Sequence, residues 1–278
     1  MQSFLQSSAG WKSRNILDVR SSQDFAQGHL QGATSHPLAV GEDLPSIFLP
    51  PRHEPLLVVS DDPAQARDLA RQLESRGRVT VEFLVWELNT CPAELLSSGS
   101  SAHHLWSPPG WLRDHEVWLP PPAAGPVLDL ACGSGRAVVW LAQRGYRTLG
   151  VDWQPEALDL GRMLAQSQGV HCQFQLGDLR DPDQVPPGPW SVILNFRYLQ
   201  RDLLATLPAL LQPGGVALVR TFRHVARYEG HPHRKHRLDA GELLKTFPAG
   251  LCEIIAHEEG FDPDGRPAAG IVVRRKAI

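Results

Sequence analysis

One stretch constrains the fold of this chain more than any other. Pro126-Val127-Leu128-Asp129-Leu130-Ala131 reads as a buried strand. It passes through Cys132-Gly133-Ser134-Gly135 directly into the helical stretch Arg136–Gln143, which Gly145 stops. A strand that enters a helix through a glycine turn is the opening unit of a doubly wound α/β sheet, and the chain beyond it keeps alternating. Strands are expected at 147–151, 170–176, 190–194 and 216–221. Helices are expected at 155–167, where Pro155 suits the first helical position, and at 201–211. Pro213-Gly214-Gly215 predicts a turn before the fifth strand.

The same stretch carries the strongest chemical signal. Glycine lets the backbone approach a ligand, and a helix N-terminus favours an anionic group. Asp152, ending the second strand, suits two ribose hydroxyls. That much fits a dinucleotide or S-adenosylmethionine. Three details separate them. Arg136-Ala137-Val138 follow the second glycine, so the third glycine of the pyrophosphate fingerprint is absent. Asp178, after the third strand, offers an acceptor to an adenine amino group, and the Pro-Gly-Gly turn precedes the fifth strand. Asp129 and the backbone at Gly133 and Gly135 would hold the amino-acid end. Trp153 either contacts adenine or packs.

Together Leu128 to Gly135, Asp152, Asp178 and Leu211-Gln212-Pro213-Gly214-Gly215 resemble the class I S-adenosylmethionine-dependent methyltransferases. The resemblance covers about residues 105–278, with Ala131 replacing the first glycine common in the family. It implies a seven-stranded Rossmann-like domain that closes with a hairpin, 251–256 and 269–275, and uses S-adenosyl-L-methionine as cofactor. The cofactor residues it implies are Asp129, Ala131, Gly133, Gly135, Asp152, Trp153, Asp178, Leu179 and Asn195. Leu238 to Leu244 and Ile271 to Lys276 are similar to the tail of tellurite-resistance (TehB-type) methyltransferases.

The N-terminal part is a smaller α/β pattern. Strand runs at 15–19, 56–59 and 79–84 alternate with a short helix capped by Ser22 and a helix over 66–73. Ile16-Leu17-Asp18-Val19-Arg20, Asp24-Phe25 and Gly28-His29-Leu30-Gln31-Gly32-Ala33 resemble the rhodanese family over about residues 10–92. In active members a catalytic cysteine follows the strand matched by Leu56–Val59, and a loop of backbone N–H groups cradles its persulfide. Here Ser60 stands in that place, followed by Asp61 and Asp62. A hydroxyl carries no persulfide, and two carboxylates repel an anion, so no sulfurtransferase activity is expected. Cys91 reads as a structural thiol, and the domain as a scaffold or interaction module. The expected boundaries are 1–96 for this rhodanese-like domain, 97–125 for a mostly irregular connector with Trp106, Trp111 and Trp118, and 126–278 for the methyltransferase domain.

Composition narrows the partners. The 278 residues carry a net charge of −3, which argues against nucleic acid. No apolar run reaches the ~18 residues of a membrane span, and residues 1–14 lack a secretory signal's apolar core. Four scattered cysteines point to a reducing, cytoplasmic setting. The overall charge hides one basic segment, 220–237, dense in Arg, Lys and His with Glu229 its one acid. It falls where the family builds part of its substrate lid and reads as an electropositive funnel. His231, His233 and His236 more often solvate such a loop than bind metal, so no metal is expected. The substrate-binding candidates are Arg197, Tyr198, Arg223, His224 and Arg227, with Arg197 and Tyr198 orienting the acceptor. The chain after the fourth strand reads Asn195-Phe196-Arg197-Tyr198, so an Asn-Pro-Pro-Tyr motif is missing. No general base is required when the nucleophile is already a thiolate or selenolate. The expected function is methyl transfer to a small molecule, anionic or of sulfur, selenium or tellurium type. The alternatives are a protein or RNA acceptor docked by the N-terminal domain, or a non-enzymatic cofactor-binding scaffold.

Overall fold

Residues 15–87, 91, 93–100 and 103–277 are described from a computed structural model. The stretch read for a signal, 1–14, lies outside them. The chain divides into two compact units between Ser107 and Pro108. That boundary falls inside the segment 97–125, so its residues are shared out. Leu105 joins an apolar core of the first unit, while Trp111 lies on a short helix of the second.

The first unit contains β1 (Asn15–Asp18), α1 (Ser22–Gln27), β2 (His29–Leu30), β3 (Ala33–Ser35), β4 (Leu56–Ser60), α2 (Pro63–Ser75), β5 (Val81–Val85) and β6 (Leu96–Ser97). Strands β3-β1-β4-β5 form a parallel sheet, and β2 pairs with β6. All five residues of β4 are buried, which is why it reads as an unbroken apolar run rather than an alternating one. The cap of α1 is Ser21, not Ser22. Its hydroxyl accepts from the Asp24 N–H at 3.1 Å and donates to the Asp24 carboxylate, because Asp24 occupies the third helical position relative to Ser21. Asp18 and Arg20 form a buried ion pair at 2.7 Å, and the guanidinium stacks on Trp86.

The second unit contains α3 (Gly110–Asp114), β7 (Val127–Leu130), α4 (Arg136–Ala142), β8 (Thr148–Asp152), α5 (Pro155–Ser167), β9 (Gln173–Leu176), β10 (Trp190–Phe196), α6 (Arg201–Leu210), β11 (Leu211–Phe222), α7 (Glu242–Thr246), β12 (Cys252–Phe261) and β13 (Pro267–Arg275). The sheet order is β12-β13-β11-β10-β7-β8-β9, with β13 antiparallel to its two neighbours and the other pairs parallel. The chain runs outward from β7 through β8 to β9, then returns to lay β10 on the other side of β7. Strand order reverses there, and ligands of open α/β sheets bind at the carboxyl ends beside such a reversal. Pro213-Gly214-Gly215 does not form a turn ahead of β11. It is a bulge inside it, where register shifts from Trp190 opposite Leu211 to Val192 opposite Val216. A Cβ on Gly215 would come 2.9 Å from the Trp190 carbonyl oxygen, so the close approach selects glycine.

Trp111 seals one face of the sheet. Its indole lies on Gly270 of β13, meets the His115 ring at a tilt and receives the Arg220 guanidinium at 4.8 Å. A Cβ on Gly270 would stand 2.7 Å and 2.8 Å from two indole carbons. Gly270→Ala is therefore expected to destabilise the fold by about 1–3 kcal/mol through overpacking, measured by urea unfolding. An unchanged midpoint would show that the indole does not rest there.

Candidate functional site

The turn after β7 is built from left-handed residues. Ala131, Gly133 and Gly135 hold φ of +56°, +53° and +67°. Ala131 is strained in that region, at about 1–2 kcal/mol for a residue with a Cβ. The two glycines are there for different reasons. A Cβ on Gly133 would have nothing within 4 Å, so the backbone faces open space that a ligand can fill. At Gly135 a Cβ would be 2.4 Å from Cε1 of Phe174. Gly135 is thus held by packing against β9, and it starts α4 as its N-terminal cap.

Asp152 fastens this turn to the end of β8. Its carboxylate accepts from the Gly133 N–H at 2.8 Å and the Gln154 N–H at 3.0 Å. Asp129, one strand over, is buried and has no hydrogen-bond partner among the described residues. Burial, reinforced by the Asp152 carboxylate, holds its pKa well above the usual range. Burial first, then the Asp129 and Asp152 carboxylates, pushes the Cys132 thiol up. A buried carboxylate without a partner beside an open backbone cradle suits a cationic group such as an ammonium.

The sign of the pH dependence follows. Asp129 keeps its proton in the folded protein over a range in which the unfolded chain has lost it. It stabilises the fold below its unfolded pKa of about 3.9, and that contribution is lost as pH rises through the raised folded value. The ligand-free protein is expected to lose stability over that window relative to Asp129→Asn. Thermal melts of both from pH 4 to 8 check this, and parallel profiles would remove Asp129 as the cause.

The other predicted residues divide. Trp153, next to Asp152, is 61% exposed and leaves a bare aromatic face at the site. Asp178 is half-buried, and Arg180 grips both its oxygens, at 2.6–3.0 Å. Those bonds lower its pKa to about 2. Any adenine contact would therefore be shared with a guanidinium. Leu179 sends its side chain into the core. Tyr198 donates to Gln200 at 2.6 Å, and its pKa is raised by burial first, then by Asp178 and Asp152. Phe174 and Arg180 carry no motif of their own, and sequence reasoning passed over both.

The electropositive funnel is not realised. Arg220 pairs with Asp262 at 2.8 Å and Glu258 at 3.3 Å. Arg223 pairs with Glu259 at 3.1 Å, and Arg234 with Asp239 at 2.6 Å. Arg197, at φ +60°, reaches Asp264 at 3.0 Å. The buried Arg237 guanidinium donates to the carbonyls of Pro232, Tyr228 and Gly230. Most of the neutralising acids come from the β12–β13 hairpin, far away in sequence. Arg227 remains exposed, and the ring nitrogen Nδ1 of His224 is buried without a partner.

Comparisons with known proteins bear on this unit. Residues 127–215 match the family described as methyltransferase domain. An uncharacterized protein of Schizosaccharomyces pombe is 27% identical over an alignment covering 93% of each chain, which runs through both units. The ubiquinone biosynthesis O-methyltransferase of Aeromonas salmonicida is 28% identical over 157 residues, 53% of this chain and 63% of that protein. Among solved structures, TehB from Haemophilus influenzae superposes with a TM-score of 0.50 at 17% identity, covering 60% of this chain and 62% of that one. It shows the fold alone. The C-terminal unit thus has the open α/β fold of TehB, and the methyltransferase-domain match over residues 127–215 implies S-adenosylmethionine as its cofactor. No helix among the described residues is long and apolar enough to cross a membrane.

Proposed function

We propose that this chain transfers the methyl group of S-adenosylmethionine to a small-molecule acceptor held over the ends of β10 and β11, and that its N-terminal unit is rhodanese-like and lacks sulfurtransferase chemistry. The observation that carries the reading is the open cradle at Gly133 flanked by Asp129 and Asp152. The donor set fits the cofactor: Asp129 can receive its ammonium, Asp152 its ribose hydroxyls, and the exposed Trp153 can stack on its adenine. The bound cofactor supplies a methyl group on a sulfonium, already activated toward a nucleophile. What remains for the protein is alignment and exclusion of water. Asp152 holds the turn in place, and the ordered Asp129 fixes the amino-acid end. Tyr198, which follows β10 and bonds Gln200, is placed by its sequence position on the acceptor side.

The paired arginines of 220–237 lend no support to an anionic acceptor. For the N-terminal unit, support comes from Ser60 and Asp62. The fully buried Ser60 hydroxyl donates to Gln65 at 2.6 Å. The Asp62 carboxylate accepts from the Ala64 and Gln65 N–H groups. The protein's own carboxylate thus occupies the helix N-terminus that would cradle a persulfide.

The test is transfer of labelled methyl from the cofactor to phenols, thiols, selenite and tellurite, alongside protein and RNA fractions. Label in a small molecule supports the proposal. Label confined to protein or RNA would replace it with a macromolecular acceptor. Measurable thiosulfate-to-cyanide sulfur transfer would overturn the reading of the N-terminal unit.

A further inference from the structure

We propose that the buried carboxamide of Asn195, with the Thr221 hydroxyl beyond it, reads the methyl acceptor. The acceptor class it selects is a neutral molecule presenting a hydrogen-bond donor and an acceptor side by side, as a carboxamide does, rather than an oxyanion. This rests on the methyltransferase reading and goes further by assigning the acceptor's chemistry.

The sheet separates Asn195 from the cofactor carboxylate. Leu194 is in register with Asp129, and Asn195 with Leu130. Side chains alternate along a strand, so Asp129 and Asn195 project to opposite faces. Across β11, Asn195 is in register with Val219, and Thr221 lies two residues beyond on the same face. That face is otherwise a core of Leu128, Leu130, Val151, Ile193 and Val219. Asn195 is 0% exposed and Thr221 1%. Neither Oδ1 nor Nδ2 of Asn195, nor Oγ1 of Thr221, has a hydrogen-bond partner. Buried polar atoms without partners destabilise a fold, and native structures hold few of them. Here they come in a pair of neighbouring side chains, at the carboxyl ends of the two strands where the acceptor is expected. Both are buried, so acceptor entry is coupled to movement of the covering chain. Arg197, at φ +60° just after β10, is the strained position closest to Asn195 in sequence.

The charges around the site point to the same class. Arg223, next outward on that face of β11, is matched by Glu259. On the rim, Arg197, Arg220 and Arg266 are matched by Glu258, Asp262 and Asp264. Each of these three arginines meets a hairpin carboxylate, so these side chains themselves do not favour an oxyanion. A carboxamide offers one acceptor oxygen and an NH₂ donor. A neutral amide satisfies both, whereas an oxyanion satisfies the NH₂ and is repelled by the oxygen.

The experiment is calorimetry on the full chain loaded with S-adenosylhomocysteine, using two matched pairs of probes: benzamide against benzoate, and 3,4-dihydroxybenzamide against 3,4-dihydroxybenzoate. The amides are expected to bind on the order of tenfold more tightly or better. Asn195→Leu should abolish that preference, and the isosteric Thr221→Val should reduce it, with the far-UV circular dichroism spectrum of both variants unchanged as proof of folding. Equal or tighter binding of the carboxylates, binding of none of the four, or a preference that survives Asn195→Leu overturns the assignment. The underlying methyltransferase reading fails on a separate readout, absence of S-adenosylhomocysteine binding by the unaltered chain.

Discussion

Asp152→Ala is expected to lower S-adenosylmethionine affinity by about a hundredfold or more. Two losses combine. The variant removes the carboxylate that would accept from the ribose hydroxyls, where charge-assisted hydrogen bonds contribute about 1.5–3 kcal/mol each. It also frees the N–H groups of Gly133 and Gln154, so the turn that must cradle the amino-acid end loses its tie to β8. Each 1.4 kcal/mol is tenfold in affinity, which sets the scale. Asp152→Asn separates the contributions. Its amide retains one acceptor oxygen, but its NH₂ group faces a backbone N–H, so affinity should fall to an intermediate value. Fluorescence or calorimetric titration of the three proteins checks the order. Wild-type affinity in Asp152→Ala would remove this carboxylate from the cofactor site.

Gly135→Ala is expected to give a large loss of stability from a single methyl group. The new Cβ would meet Phe174 Cε1 at 2.4 Å and Cζ at 2.7 Å, and the residue would have to keep φ near +67°. Overpacking contributes about 1–3 kcal/mol and the left-handed backbone a further ~1–2 kcal/mol. A total of about 2–5 kcal/mol is a large part of the stability of an ordinary domain. The two contributions can be separated because Gly161 shares the same aromatic neighbour, with a Cβ there at 2.8 Å from Phe174. Adding Phe174→Leu to Gly135→Ala should recover the steric part and leave the backbone part. Gly133→Ala has no steric neighbour, so it should cost less stability and more cofactor affinity than Gly135→Ala. Urea unfolding with parallel binding titrations distinguishes them. If the two variants behaved alike, the division of labour between the glycines would be wrong.

The parts of the fold that were legible in the sequence are those fixed by local pattern. Buried parallel strands such as β4 and β7 show as apolar runs, and the glycine turn after β7 shows because left-handed backbone selects glycine. Pro155 marks the start of α5 in both sequence and structure. Features set by partners distant in sequence were not legible. The segment 220–237 reads as strongly basic because its neutralising acids, Glu258, Glu259, Asp262 and Asp264, arrive only when the hairpin folds back beside β11. Asp178 reads as a free acceptor because nothing in its pattern announces that Arg180 turns back onto it. Pro213-Gly214-Gly215 has the composition of a turn, and only the pairing of β10 with β11 makes it a bulge. Gly135 was legible as a glycine of the turn, yet its reason, the Phe174 ring, belongs to a strand some forty residues away. Asn195 lies at the predicted strand end, but its lack of any partner is a property of the packed sheet alone.

The most direct test of the central claim is a calorimetric titration of S-adenosylhomocysteine into the full chain. The cradle at Gly133, with Asp129 and Asp152, predicts saturable binding at one site per chain that Asp152→Ala weakens about a hundredfold or more. Absence of binding by the unaltered chain, or equal binding by Asp152→Ala, would contradict it.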